Sequence, residues 1–218
     1  MAGHLFGGQI TVVGDGTPVD LNGLLVNGED GVTRRPAPGM DLLHLLGIPL
    51  GLLYANAGEW FLHRYLLHGA GRRKGSFWSF HWREHHSACR RHGMMDPDYE
   101  RFPLGAHAQG KEAWGLIAAA VAHAPLLLVA PGFAAAVLFS VAWYYRVHRR
   151  SHEDLAWAKA HLPWHYDHHM GPDQDQNWCV SWPWFDILMG TRVKYLGTER
   201  AERDEARRAE RRAARAAG

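Results

Sequence analysis

The sequence predicts an all-α membrane protein, in which about three apolar helices lie beneath a cytosolic cap of histidine-rich helices; a half-inserted segment would make four. Three observations predict it. Long apolar runs occupy 42–67, 113–130 and 132–148. Sixteen of the 218 residues are histidine, an unusually high number. Arginine and lysine collect at one end of the apolar runs, and basic loops prefer the cytoplasmic side of a membrane.

Three regions differ in composition. Residues 1–40 are rich in Gly, Pro and Asp and predict an irregular extension or a β-hairpin. Residues 41–197 carry the apolar runs and the histidines, and predict one membrane domain. Residues 198–218 alternate Ala with Glu and Arg, which predicts a charged helix or tail with pairs such as Glu199–Arg203. Contact with acidic lipids is the alternative for this tail.

The apolar runs are each close to the roughly 20 residues that cross a bilayer. The mean hydropathy of −0.30 hides them, because the apolar residues are concentrated. Ala130–Pro131–Gly132 would turn the last two runs into a hairpin. The alternative is a soluble bundle of three buried helices. Such helices should show a polar face, and 115–142 shows almost none.

Charge and cysteine content exclude two classes of protein. The formal net charge is only +2, which gives no reason to expect a nucleic-acid partner. Cys89 and Cys179 fit no CxxC pattern and predict no disulfide framework. They indicate a reducing or membrane-buried setting.

Ten histidines form four clusters at the basic ends of the apolar runs. The clusters are His63 and His68 (HX4H), His81, His85 and His86 (HX3HH), His148 and His152 (HX3H), and His165, His168 and His169 (HX2HH). Neutral imidazoles directed at one point are the usual way to hold a transition metal. A zinc site takes about four ligands, so ten suit two ions of five or six coordination. No Glu-x-x-His signature of a carboxylate-bridged bundle site is present among them.

Spacing predicts which histidines share an ion. Helical residues four apart lie ~40° apart around the axis, so His148 and His152 should share a centre, and so should His81 and His85. The first cluster has a spacing of five, which is ~140° on an ideal helix. It requires a local irregularity, a helix end, or two ions in different directions.

Other polar residues receive lesser roles. Glu84 and Asp167 are expected to accept the outward N–H of ligating imidazoles. Asn177 is expected to contact a metal-bound water or the substrate. The remaining histidines fit no cluster and are expected not to bind metal: His4, His44, His92, His107, His123 and His161.

The four clusters, in this order, resemble the integral-membrane fatty acid hydroxylase superfamily, which includes the sterol desaturases. The matching stretches are EWFLHRYLLH at 59–68, HWREHH at 81–86, HRRSH at 148–152, HYDHH at 165–169 and WFDILMGT at 184–191. The resemblance runs from about 41 to 192. It implies a helical membrane protein whose dimetal site, with iron as native metal, faces the cytosol.

The resemblance further implies O2-dependent oxidation, most simply hydroxylation, of a C–H bond in a lipid or other apolar membrane substrate. Two iron ions are expected, which zinc can replace in purified protein. Electrons would come from a separate ferredoxin-, rubredoxin- or cytochrome b5-type donor, because no haem-binding HPGG domain precedes the spans. The second cluster is HX3HH, where fatty acid 2-hydroxylases carry HX2HH.

Three alternatives stay open at this point. The same site could desaturate its substrate, and a carotenoid-type hydroxylase would carry similar motifs. A membrane metal-binding or transport protein is the non-enzymatic alternative. That class would need polar residues through the spans, whereas the histidines here collect at one end.

Overall fold

The computed structural model describes residues 10–13, 17–20 and 42–217 of the chain. The chain divides into two units, 1–41 and 42–218. All elements described in the second unit are helical. The all-α prediction is therefore confirmed for the unit that carries the histidine clusters.

A two-stranded sheet lies in the first unit. Strands β1 (Ile10–Val13) and β2 (Thr17–Asp20) pair antiparallel, with Ile10 opposite Asp20. They fall within the region for which the composition predicts a hairpin or irregular extension. The other residues of 1–40 lie outside the described residues.

The second unit contains α-helices joined by short turns and π-helical segments. In chain order the described helices are α1 (Leu42–Phe61), α2 (His86–His92), α3 (Ala108–His123), α4 (Pro131–Glu153), α5 (Leu155–His161), α6 (Pro163–Met170), α7 (Trp184–Leu188) and α8 (Glu199–Ala217). A π-helical segment, Leu62–Gly69, continues α1, and a second one, His81–His85, leads into α2. Short 3-10 turns occupy Ala70–Arg72, Pro97–Glu100 and Ala124–Leu128.

Helices α1 and α4 approach closely at glycines. A Cβ added to Gly51 would lie 2.6 Å from the carbonyl oxygen of Phe133, and one on Gly47 would lie 2.8 Å from its amide nitrogen. Small residues allow helix backbones to meet in this way. The contact matters for the site because α1 leads to His63, whereas α4 carries His148.

Among the described residues, one helical run, 44–72, is long and apolar enough to cross a membrane. The prediction of three or four apolar spans is not supported. Helix α3 ends at His123 and passes into a 3-10 turn that contains Pro125, which has no amide proton to continue the α-helical hydrogen bonds. Helix α4 is longer, but its last turns are charged, with Arg146 and Arg149 among them.

The interior of the second unit is built largely from histidine. Eight histidines are among its largest fully buried side chains: His68, His85, His86, His148, His152, His165, His168 and His169. The apolar core is divided into small clusters, such as that of Val147, Leu162 and Val180. Burying so many polar rings is costly unless each nitrogen has a partner.

The last helix is tied to the rest of the second unit by polar contacts. Lys159 donates to Glu205 at 2.7 Å, and Tyr195 lies 3.2 Å from Asp204. Glu199 and Arg203, the pair predicted for this helix, lie 3.3 Å apart on its exposed side. Exposed pairs of this kind contribute at most about 1 kcal/mol, so packing at Tyr195 holds the helix better than its own pairs do.

Candidate metal centre

The ten clustered histidines come together in two adjacent groups of five. Every one of them is at most 3% exposed. The first histidine group contains His63, His68, His81, His86 and His168, with one ring nitrogen of each within 4.8 Å of the others. The second histidine group contains His85, His148, His152, His165 and His169. They fall into two overlapping sets at the same limit, one of which also includes Cys89.

The first histidine group depends on π-helical backbone. In a π-helix the repeating hydrogen bond joins residues five apart, so such residues lie on one face. His63 and His68 stand in the π-helical segment Leu62–Gly69, and their ring centroids are 5.0 Å apart. The π-helical segment is therefore the local irregularity that the HX4H spacing requires, and it places both histidines on one face.

The second cluster is divided between the groups. His81 and His86 are five apart across the π-helical segment His81–His85, and their Nε2 atoms lie 3.1 Å from each other. His85 points instead to the second histidine group. The prediction that His81 and His85 share a centre is therefore wrong, because it assumed α-helical geometry.

Two α-helical pairs complete the second histidine group. His148 and His152 on α4 have Nε2 atoms 3.1 Å apart, as their four-residue spacing predicts. His165 and His169 have the same spacing on α6, with ring centroids 4.6 Å apart. His168, on the neighbouring face of α6, belongs to the first histidine group. Helix α6 therefore connects the two groups.

Hydrogen bonds on the outer side of the rings fix where the ring protons lie. Nδ1 of His63 donates to the carbonyl of Trp178 at 2.5 Å, and Nδ1 of His168 donates to that of Gln176 at 2.7 Å. A neutral imidazole that donates from Nδ1 has a lone pair on Nε2. The inward Nε2 atoms of these residues are therefore free to bind a cation.

The inward nitrogens are closely spaced. Nε2 of His63 lies 2.9 Å from Nε2 of His81, and Nε2 of His152 lies 3.0 Å from that of His165. Two ligands ~2.1 Å from a shared ion and at right angles to each other would be ~3.0 Å apart. Two lone pairs facing each other at this distance repel unless a positive charge lies between them or one of the rings carries its proton on Nε2.

Protons are poor candidates for that positive charge. Burial, followed by the charges of neighbouring imidazoles, lowers the pKa of six of these histidines well below the usual 6.5: His81, His86, His152, His165, His168 and His169. Both ring nitrogens of His169, and Nε2 of His85, have no hydrogen-bond partner within the described structure. His85 is the exception, because burial disfavours its charge but Cys89 and Asp96 outweigh that and raise its pKa. The rest of the donor set fits metal ions better than protons.

Two carboxylates stand behind the second histidine group. Asp96 lies 2.7 Å from Nδ1 of His85, and Glu112 lies 2.6 Å from Nδ1 of His148. Tyr99 donates to Glu112 at 2.6 Å and holds that carboxylate in place. Sequence reasoning missed both acids, because neither stands within a histidine motif.

The two acids predicted for this role lie elsewhere. Glu84 is half exposed and pairs with Lys111 at 2.8 Å. Asp167 is buried, but its oxygens accept from Arg192 at 2.8 Å and from the amide of Leu196 at 2.6 Å. Both predictions are corrected by these contacts. Adjacency in sequence to a ligating histidine places a carboxylate on another face of the helix.

Asn177 also has a structural role instead of the predicted contact with water or substrate. It adopts a positive φ of 58°. Its side-chain oxygen accepts from the amide of Val193 at 2.8 Å, and its Nδ2 donates to the carbonyl of the same residue at 2.9 Å. Asn177 thus joins the loop after α6 to the segment that precedes α8.

Two further carboxylates, buried Asp186 and partly buried Glu59, shape the loop that carries Trp178. Asp186 accepts from the amides of Trp178 at 2.9 Å and Cys179 at 2.7 Å. Glu59, on α1, accepts from the amides of Val180 and Ser181. Because this loop presents the Trp178 carbonyl to His63, the two acids orient the first histidine group indirectly.

Cys89 lies behind the second histidine group. Its sulfur is 3.5 Å from Nδ1 of His152 and 3.9 Å from Nδ1 of His85, on the outer side of both rings. Burial raises the pKa of this thiol. Its sulfur also lies within 4.8 Å of a ring nitrogen of each of His85, His152 and His169, so Cys89 is a further possible donor to this group.

The histidines excluded by sequence reasoning lie outside both groups where the structure describes them. His161 is exposed and donates from Nδ1 to the carbonyl of Trp157 at 3.0 Å. His107 caps the start of α3 by accepting from the amide of Gly110 at 3.2 Å. His123 bonds the carbonyl of Ala119. His4 lies outside the described residues.

A cavity of about 340 Å³ adjoins the first histidine group. His63 and His81 line one part of it, and apolar side chains of α1, α3 and α4 line most of the remainder, including Leu62, Leu116 and Val141. Pockets of this size and character hold small or elongated apolar molecules. Such a molecule would lie directly beside the inward nitrogens.

No family model, curated protein or solved structure matches this chain. These comparisons therefore assign the chain to no family.

Proposed function

We propose that this chain is a membrane-bound di-iron oxidase that hydroxylates a C–H bond of an apolar, lipid-like substrate with O2. One observation carries the proposal: ten buried histidines converge in two adjacent groups, and an apolar cavity reaches His63 and His81 of the first. The choice of iron and O2 comes from the resemblance of the motifs to the fatty acid hydroxylase superfamily.

Bound iron would supply activation of O2 and removal of a hydrogen atom from the substrate. The chain supplies the conditions for that chemistry. Six of the imidazoles have a pKa well below the usual 6.5, so protons compete poorly for their inward nitrogens. Asp96 and Glu112 offset positive charge behind the second histidine group. The apolar cavity walls exclude water and align the substrate with His63 and His81.

Helix α1 and exposed apolar side chains nearby support the proposed membrane association. The run 44–72 is long enough to cross the bilayer. Leu50 on α1, Val121 on α3 and Leu128 just beyond it are 60%, 67% and 88% exposed. Large exposed apolar patches mark lipid or protein contacts. We place the α3–α4 hairpin beside α1 in the apolar layer, instead of assigning three independent spans.

Orientation and electron supply complete the proposal. Arg72, Arg83 and Arg90 lie among the histidine clusters, and the positive-inside tendency then directs the site towards the cytoplasm. Electrons would arrive from a separate ferredoxin-, rubredoxin- or cytochrome b5-type protein. The same site could desaturate its substrate, and product analysis separates the two reactions.

Metal analysis of the chain purified from membranes of iron-replete cells tests the site. We expect about two ions per chain, as iron or as zinc that has replaced it, since zinc binds nitrogen sites more tightly than ferrous iron does. His168→Ala should lower the metal content, because His168 belongs to the first histidine group and links it to α6. His161→Ala, on the neighbouring exposed helix, is the matched control and should keep both ions.

The reaction is tested separately by lipid analysis of cells with and without the gene, supplied with a competent electron donor. A hydroxylated lipid should appear with the wild-type chain and with His161→Ala, and should be lost with His168→Ala. Two bound ions without any oxidised lipid would contradict the oxidase and favour a metal-binding or transport protein. One tightly held ion per chain would contradict the dimetal site itself.

A further inference from the structure

A polar pair lies at the far end of the apolar cavity. Tyr54 on α1 and His123 on α3 both line it, and the hydroxyl of Tyr54 lies 3.0 Å from Nε2 of His123. Tyr54 precedes His63 by nine residues, which corresponds to ~13 Å along a helix. The pair therefore stands about that distance from the first histidine group, in the apolar part of the helices.

The hydrogen bonds of the pair are directional. Nδ1 of His123 lies 2.8 Å from the carbonyl of Ala119, to which it donates. Nε2 of the neutral ring is then an acceptor, so the hydroxyl of Tyr54 donates to it. The Tyr54 hydroxyl has therefore donated its only proton, and its oxygen can still accept a hydrogen bond. Its ring packs on Phe133 with centroids 5.3 Å apart, which fixes the hydroxyl in place.

Several other polar side chains along the cavity wall are already engaged. Asn56 bonds the carbonyl of Trp182 and the amide of Phe185. Lys111, at the histidine end, donates to Glu84. Ser140 donates to the carbonyl of Ala136 at 2.8 Å. At the end away from the histidines, the Tyr54 oxygen is therefore an acceptor that the cavity wall offers to a ligand.

We infer that the cavity selects apolar molecules that carry a hydroxyl group, which donates to the Tyr54 oxygen and sets the distance to the oxidised carbon. Polar side chains within a membrane layer are costly and usually functional. The Tyr54 oxygen, whose proton is already donated to His123, favours an alcohol over an alkane or a carboxylate. This inference rests on the proposed function, because it treats the cavity as the substrate site.

Equilibrium binding of matched probes tests the inference without turnover. Hexadecanol, its methyl ether and palmitate would be titrated into the purified chain in lipid nanodiscs. Binding would be followed by tryptophan fluorescence, since Trp78 and Trp182 line the cavity. A net hydrogen bond of ~1 kcal/mol predicts about a fivefold preference for the alcohol over its ether.

Tyr54→Phe removes the oxygen but frees Nε2 of His123, which can accept in its place. The double variant Tyr54→Phe/His123→Leu removes both acceptors and should bind alcohol and ether equally. Tyr65→Phe, a half-exposed tyrosine just beyond α1 that does not line the cavity, is the control and should keep the preference. Unchanged metal content would show that the double variant has folded.

Equal binding of alcohol and ether to the wild-type chain would overturn the inference. So would a preference that persists in the double variant, or palmitate as the tightest ligand, which would point to Lys111 instead. These outcomes are independent of the proposed function, which fails if the chain holds no metal pair or oxidises no lipid.

Discussion

The ten histidines differ in what stands behind their rings. His85 and His148 of the second histidine group face buried or nearly buried carboxylates, whereas His63 and His168 of the first face backbone carbonyls. His68 of the first group also faces an acid, Asp175, but that carboxylate is 3.4 Å from Nδ1, half exposed and bound to Arg72 at 2.7 Å. A carboxylate makes an imidazole a stronger ligand than a carbonyl does. The second histidine group should therefore hold its ion more tightly.

Glu112→Gln tests this difference. The amide keeps the shape of the side chain but removes the charge behind His148, and losses of such partners lower metal affinity about 10- to 100-fold. After a mild chelator challenge, the variant should lose metal from both groups, whereas the wild-type chain keeps the ion of the second group. The measurement is metal content per chain against chelator concentration.

Glu84→Gln is the control for that change, because Glu84 pairs with Lys111 at the surface. It should follow the wild-type curve. Identical curves for all three chains would show that Glu112 does not support an ion.

At the scale of elements, backbone type decided how much of the site could be predicted. The ten histidines are close in sequence within each cluster, so spacing identified them. Their division into two groups escaped prediction because His63–His68 and His81–His86 share faces only in π-helical backbone. The carboxylates behind the rings also could not be predicted, because the tertiary fold and not a sequence motif brings Asp96 to His85.

Helix contacts position the clusters relative to each other, and Gly51→Ala tests this. The added Cβ would lie 2.6 Å from the carbonyl oxygen of Phe133 and 2.8 Å from Cβ of Ala136, so α1 and α4 must separate. Overpacking of this kind costs about 1–3 kcal/mol. We expect a lower unfolding midpoint and weaker metal retention, measured by thermal denaturation and metal analysis.

Gly58→Ala is the matched control on the same helix, since a Cβ there meets nothing within 4 Å. It should unfold at or slightly above the wild-type temperature, because alanine favours helix over glycine by up to ~1 kcal/mol. Equal effects of the two substitutions would contradict close packing of α1 on α4.

At the scale of the whole molecule, apolar and charged stretches occur within the same helices and limit which of them could cross a membrane. The run 44–72 is long and apolar enough to span a membrane, whereas α3 is cut short before Pro125 and α4 becomes charged towards its end. Hydropathy of the linear sequence cannot reveal such a break, because the apolar run continues through the proline. The histidine groups also lie at such transitions, where the apolar helices become basic.

The buried histidines also predict how the whole molecule responds to acid. Six of them have a pKa well below 6.5 in the folded chain, so below that pH the unfolded chain binds more protons. Stability therefore falls as pH drops below ~6.5 and is fully present above it. His85 opposes the trend: burial disfavours its charge, but Cys89 and Asp96 outweigh that and raise its pKa.

Six groups outweigh one, so we expect the metal-free chain to lose stability steeply from about pH 6.5 to pH 5, with more than one proton taken up per chain on unfolding. Denaturant unfolding followed by tryptophan fluorescence across this range measures the slope. His92 and His161 are exposed and outside both groups, so replacing both by glutamine should leave the slope unchanged. A stability that is flat across the range would mean that the buried imidazoles are not held neutral in the folded chain.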